Sequence, residues 1–289
     1  MALLPNHLES FFWWINERHS IYLKKKAGKP RPWTDDDTLN TFKFTNVFRE
    51  LDRTTVWMRE HYTGPNHTAP AGDIIFNCCM FRMFGTMEFA ESVGWIKQWD
   101  PKEVKSLARA RLDRGMKVFT GAYIITNQGM KLPKEQVVVD YFLNPIWEDR
   151  EHLGKVFVEE NSLGHAHKIL GKYPGWGGGG FMAYEVITDL NHTLMPLAKD
   201  RMLWANAGPG AKRGLNRLHG RRIDIAPSKH GWNAEMGELL DHAPARLGKH
   251  VPIDQFDMRS VEHSLCEWDK YQRVELGQGK PRSLYKETK

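Results

Sequence analysis

Three short stretches of this 289-residue chain carry the residue types that could do chemistry. In the first, Asn46, Arg49, Glu50 and Arg53 recur at three- and four-residue spacing with Asp52 beside them. On a helix that spacing puts them on one face, and two arginines one turn apart can clamp a phosphate or diphosphate with forked hydrogen bonds. An exposed, ion-paired helix face is the alternative. The last stretch, residues 257–273, divides into three sectors when wound as a helix. Val261, Leu265 and Trp268 form an apolar stripe, His263, Glu267 and Lys270 lie nearly opposite, and Glu262, Cys266, Asp269 and Arg273 line a third side. An ordinary surface helix would look similar. A proton carrier, a carboxylate, an amine and a thiol on adjoining sides are nevertheless the groups that acid–base and nucleophilic steps require.

The middle stretch, residues 207–214, contains Gly208, Pro209, Gly210, Lys212 and Arg213. It reads as the hairpin of a helix-hairpin-helix motif between two short helices. Glycines there let the backbone approach a DNA phosphate, N–H groups opening the second helix donate to it, and Lys212 and Arg213 add charge. A plain Gly-Pro turn is the alternative. The glycine run 175–180 formally matches a dinucleotide fingerprint, but residues 166–174 do not read as the buried strand that such a site needs. It is read instead as a turn before a helix at 181–190, whose first N–H groups suit a phosphate of any origin. None of the five Gly-Lys pairs is followed by Ser or Thr, which argues against a Walker A loop and a P-loop kinase activity. With no Cys-x-x-Cys or His-Glu-x-x-His pattern, no metal site is expected, and no cofactor is assigned.

These residues must be positioned by a chain that is 41% apolar and long enough for one large domain, 1–289, or two closely packed lobes. Eleven Trp and fourteen Phe supply large core side chains or stacking surfaces for flat ligands. A net charge of +6 and a pI near 9.1 lean toward polyanionic partners. The basic residues gather at 24–31, 102–117, 212–222 and from 270 onward. Three cysteines, two of them adjacent, make no disulfide framework and point to a reducing compartment. The first fourteen residues lack a basic n-region and are broken by Pro5, Asn6 and Glu9, so neither a signal peptide nor a membrane span is expected, and cytoplasm is the default location. Apolar periodicity and stop signals predict helices near 8–26, from Thr34 through Val56, and at 72–93, 101–116, 146–170, 180–190, 198–206, 211–219 and 254–275. Residues 136–141 form a lone strand pattern, and without βαβ alternation the expected class is all-α.

Taken together, four segments in order resemble a known family: FTNVFRELDR (44–53), FMAYEVITDL (181–190), GPGAKRGLNR (208–217) and EHSLCEWDKY (262–271). The chain, from Phe11 to about Tyr285, is similar to the α-glutamyl/putrescinyl-thymine pyrophosphorylase group and to the helical domain of 5-hydroxymethyluracil DNA kinases. The resemblance implies an all-helical, helix-hairpin-helix DNA-glycosylase-like fold, largely found in bacteriophages that hypermodify thymine and therefore at work in the cytoplasm of an infected cell. It implies double-stranded DNA carrying a phosphorylated 5-hydroxymethyluracil as substrate, flipped out of the duplex, and an amino acid or polyamine that displaces the (pyro)phosphate. Kinase members carry a P-loop domain; with no Walker A loop in this sequence, the resemblance implies the transfer step rather than phosphorylation.

On that implied chemistry, Arg49 and Arg53 bind the departing anion, Glu262 or Glu267 is the base, and Lys270 is a further phosphate ligand. Asp52 and Asp189 orient the arginines or the incoming amine. Asn46, Gly208, Gly210, Lys212, Arg213, His263 and Cys266 contact substrate or DNA, with Cys266 a candidate to add to the uracil ring. Two rivals remain at this point: a base-excising glycosylase of the same superfamily, and a non-catalytic module that binds modified DNA or partners a separate kinase.

Overall fold

The computed structural model describes residues 2–226 and 230–285. In chain order its helices are α1 (Pro5–Lys26), α2 (Asp37–Thr41), α3 (Arg53–Trp57), α4 (Ala71–Phe84), α5 (Met87–Val93), α6 (Pro101–Asp113) and α7 (Lys134–Val137). They continue with α8 (Asn144–Glu148), α9 (Arg150–Glu160), α10 (Leu163–Leu170), α11 (Phe181–Asn191), α12 (Pro209–Leu218), α13 (Gly231–Arg246) and α14 (Met258–Glu275). Among the described residues there is no strand, only an isolated antiparallel bridge between Phe42 and Leu284, so the class is all-α. The chain divides into two compact units, residues 1–52 with 201–289, and residues 53–200.

In the first unit, α1 starts with Pro5 in its first turn and ends on Lys24, Lys25 and Lys26, a polarity that complements the helix dipole. It buries Phe11, Trp14 and Ile15, and Phe11 meets the edge of Trp268 on α14 at 5.8 Å. Helix α14 is opened by Asp257, whose carboxylate accepts from the Ser260 N–H at 2.9 Å. Its Val261, Leu265 and Trp268 are fully buried, as the sector reading predicts.

In the second unit, α4 and α9 cross so closely that a Cβ on Gly72 would strike the Arg150 carbonyl and one on Gly154 would strike the Gly72 amide. The whole of α4 from Ile74 to Phe84 is buried, and Gly85, left-handed at φ 69°, ends it.

Several expected elements take another form. Residues 136–141 are helical, with α7 running into a π-helical turn at Val138–Leu143. Val137, Val138 and Val139 are all fully buried, and with helices as their neighbours their N–H and C=O groups are satisfied only within their own helix. The expected long helix from Thr34 to Val56 is broken twice, with extended backbone at Phe42 and again at Phe48 and Asp52. Asn46 explains the second break: its backbone N–H and side-chain amide both bond the Asp52 carboxylate, at 3.1 and 2.8 Å, in place of helical partners. Residues 198–206 form turns rather than a helix. The expected helices 72–93 and 146–170 are split, at Gly85 and at Asp149 and Asn161. Helix α13 was not expected, because Gly231, Gly237 and Pro244 weaken its signal; Pro244 is tolerated near its end.

Candidate functional site

The first unit gathers most of the candidate residues where the irregular segment 42–52 lies along α14. Phe44, Val47 and Phe48 are buried and anchor that segment, leaving its polar groups to face the helix. Glu267 Oε2 accepts from the Thr45 N–H at 2.9 Å and from Lys270 Nζ at 2.6 Å, while Lys270 lies 4.8 Å above the Phe44 ring. Thr45 Oγ1 shares a short hydrogen bond with His263 Nε2. One turn earlier on α14, Arg259 faces Glu50 at 3.8 Å. The sector containing His263, Glu267 and Lys270 is thus the face that receives the 42–52 segment.

Behind that segment stands Arg18 of α1, 4% exposed. Its Nη2 donates to Asn46 Oδ1 at 2.7 Å and to the Phe44 carbonyl at 3.0 Å, and its Nη1 has no hydrogen-bond partner among the described residues. Asn46 passes the connection to Asp52, and Asp52 Oδ2 lies 3.2 Å from Arg49 Nε. Arg18, Asn46, Asp52 and Arg49 therefore form a chain of contacts from the core to the surface.

Electrostatics follow from burial. Burial pushes the Asp52 carboxyl up, against the pull of Arg49 and the Asn46 N–H. Burial, with Arg49, Arg259 and Lys270 around it, holds His263 well below its ordinary value, so its imidazole is neutral. The Cys266 thiol is pushed up to about 12 by burial and by Glu262 and Glu267. Burial and the two carboxylates thus oppose the thiolate that attack on a uracil ring would need.

The other sector of α14 faces α12. Glu262 Oε1 accepts from the Gly208 N–H at 3.2 Å. A Cβ on Gly210 would run into Cys266 Sγ, and one on Gly214 would lie 2.7 Å from the Leu265 carbonyl. Gly210 and Gly214 therefore serve the approach of α12 to α14, and the expected helix in front of Gly208 is absent, which corrects the local hairpin geometry. Arg213 and Arg217 both turn to the fully buried Asp269, at 2.8 and 2.9 Å. Lys212 lies 5.9 Å from the Trp232 ring.

Arg53 and Asp189 belong to the second unit. Arg53 is exposed at the start of α3; extended backbone at Asp52 separates it from Arg49, so the two arginines do not share one helix face. Asp189 is buried on α11 and forms a two-pronged ion pair with Arg82 of α4, whose Nε reaches Asp189 Oδ2 at 2.6 Å, while Arg82 Nη1 lies 3.3 Å from Glu185. Asp189 also borders a shallow surface recess with Thr55, Met58, Arg59, Thr63, His192 and Thr193.

Sequence reasoning missed Arg18, Thr45 and Arg82. Arg18 did carry a signal: it falls on the same helical face as Phe11, Trp14 and Ile15, where an arginine has to be paired. Thr45 carried none, because its role depends on an irregular backbone.

No solved structure matches the chain. Among curated proteins it is similar to the "5-hmdU DNA kinase" of Bacillus phage SP10, 27% identical over 301 aligned residues that cover 91% of this chain and 44% of that protein. The chain therefore spans less than half the length of this relative. Residues 5–280, from the first turn of α1 to beyond the end of α14, match the model of the 5-hmdU DNA kinase helical domain, so both units fall inside the match and the chain belongs to that family.

Proposed function

We propose that this protein acts in thymine hypermodification, displacing the (pyro)phosphate of an activated 5-hydroxymethyluracil in DNA with an amino acid or polyamine, as the thymine pyrophosphorylase group resembled by its sequence does. The observation that carries the reading is the polar assembly between segment 42–52 and α14, built from two of the four segments that convey the resemblance. In the reaction the C5-methylene carbon–oxygen bond breaks, with its electron pair leaving on the phosphate oxygen. The amine nitrogen supplies the pair for the new carbon–nitrogen bond and then loses a proton.

Arg49, held by Asp52, meets the departing anion, with Lys270 as a second cation. Glu267 is committed to the Thr45 amide and Lys270, so it positions the segment. Glu262, which accepts from the Gly208 N–H, takes the proton from the amine. Asn46 and His263 hold the segment that faces the base. Lys212 at the start of α12, with Arg213 held beside it by Asp269, meets DNA phosphates.

The test is mass spectrometry of nucleosides from phosphorylated 5-hydroxymethyluracil duplex DNA after incubation with the protein and a pool of amines. A new aminomethyl-uracil nucleoside is expected, and Arg49→Lys, which keeps charge but loses the fork, lowers its formation roughly 10²-fold with the fold intact. Abasic sites in place of that nucleoside would establish a glycosylase. The family's kinase name favours one further reading, a DNA-binding module without turnover, in which the nucleoside pool stays unchanged while Arg49→Lys weakens binding.

A further inference from the structure

Residues 24–43 and 280–285 together hold eight Lys and Arg and three Asp, a net +5 out of the chain's +6. The structure draws these two segments together. Segment 283–285 runs antiparallel to 41–43, with the Lys43 N–H bonded to the Ser283 carbonyl at 2.9 Å and the Tyr285 N–H to the Thr41 carbonyl at 3.0 Å. Tyr285 thereby meets Trp33 edge-on at 5.4 Å. Three cations crowd the two rings: Lys25 at 5.2 Å from Trp33 and 5.1 Å from Tyr285, Arg31 at 5.6 and 5.2 Å, and Lys43 at 5.7 Å from Tyr285.

Asp36 is turned to the Tyr271 hydroxyl at 2.8 Å and to the Leu39 N–H at 2.7 Å. Among the described residues Lys25, Lys26, Lys29 and Lys43 make no ion pair, and burial together with repulsion from Arg18 and Lys43 lowers the Lys25 ammonium. Crowded like charges of this kind are relieved by an anion. The ring faces are already taken by cations, which leaves them poorly placed to stack on bases and favours the phosphodiester backbone as the ligand. By contrast, the arginines of α12 are already drawn to Asp269.

We propose that the cluster of Lys25, Arg31 and Lys43 around Trp33 and Tyr285, rimmed by Lys26 and Lys29, is a binding site for the phosphate backbone of duplex DNA, holding DNA beyond the modified base. It rests on the reading that DNA is the substrate, and deepens it by naming a second contact surface.

The probe is a fluorescent 20-base-pair unmodified duplex, titrated with the whole chain between about 50 and 200 mM salt; no amine or modified base is present, so failure of the transfer chemistry leaves this readout untouched. The double variant K25A/K43A should bind roughly 10-fold more weakly, and its log–log salt slope should fall by close to two, the loss of about 0.9 per phosphate contact removed. Lys29→Glu, at an exposed position past the end of α1, should weaken binding in the same direction and covers the case in which the double variant does not fold. Unchanged affinity and slope in the folded variants would overturn the proposal, as would a loss confined to single-stranded DNA of the same sequence.

Discussion

The two units use charge in opposite ways. Residues 1–52 with 201–289 hold 24 Lys and Arg against 18 Asp and Glu, whereas residues 53–200 hold 17 of each. The entire net charge of the chain therefore lies in the first unit. In the second, the most buried charges belong to a closed set, Arg82 between Glu185 and Asp189 on two regular helices. In the first, buried Arg18 and His263 reach an irregular segment and hold it in place. A charge locked between regular helices fixes their packing, while the same residue types on an irregular segment can present groups to a ligand. Composition alone does not separate these roles; the backbone beneath them does.

The sharpest way to break this comparison is to open the closed set. Arg82→Ala leaves two carboxylates buried without their cation, and the expected loss is about 3–5 kcal/mol of unfolding free energy, read by denaturant titration. A loss below about 1 kcal/mol would show that the ion pair does not hold the second unit. Asp189→Asn keeps the size of the side chain and removes one negative charge, so it costs less.

Gly210 gives a smaller effect and tests the first unit. Gly210→Ala places a methyl group against Cys266, and overpacking of this kind costs about 1–3 kcal/mol. The companion Gly210→Ala/Cys266→Ala removes the sulfur and should recover part of that loss in thermal melts. Equal melting of wild type and Gly210→Ala would mean that α12 and α14 do not need the close approach, and would return Gly210 to a DNA-facing turn.

These residues also show how far the sequence could be read. The three sectors of α14 were legible because a long, capped helix obeys one period, so residues 261, 265 and 268 had to share a buried side. What each polar sector faces was not legible, because it depends on α12 and on the 42–52 segment. The arginine pair at 49 and 53 misled for a physical reason: side-chain bonds from Asn46 to Asp52 compete with helix hydrogen bonds, and spacing alone does not reveal which wins. The valine run at 137–139 misled because consecutive buried apolar residues suit a buried helix as well as a strand. Glycines at 208 and 210 signal close approach of something to the backbone; whether a phosphate or a helix comes near is a tertiary fact.

The smallest effect concerns acid. His263 is held well below its ordinary value of 6.5 by burial and neighbouring cations, and His19 is lowered to about 4 by burial, with His250 and Arg18 adding to the shift. Both are neutral in the folded and unfolded states above pH 6.5, so neither makes stability depend on pH there. As pH falls through 6.5, the unfolded chain takes up protons that the folded chain refuses, and stability is lost; for His19 the loss levels off near pH 4. His263, lowered by burial and its neighbouring cations, adds to that loss in the same direction. In the second unit, burial lowers His167 in the same direction, against its hydrogen bond to the Gly180 carbonyl. His263→Gln retains an amide that can bond Thr45 but cannot titrate. Its unfolding free energy, measured at pH 7 and 5.5, should differ less between the two conditions than that of wild type. If the variant keeps the full wild-type difference, His263 takes up its proton in the folded protein as readily as in the unfolded chain, and below pH 6.5 the neutral imidazole assigned to the first unit gives way to a cation beside Arg49.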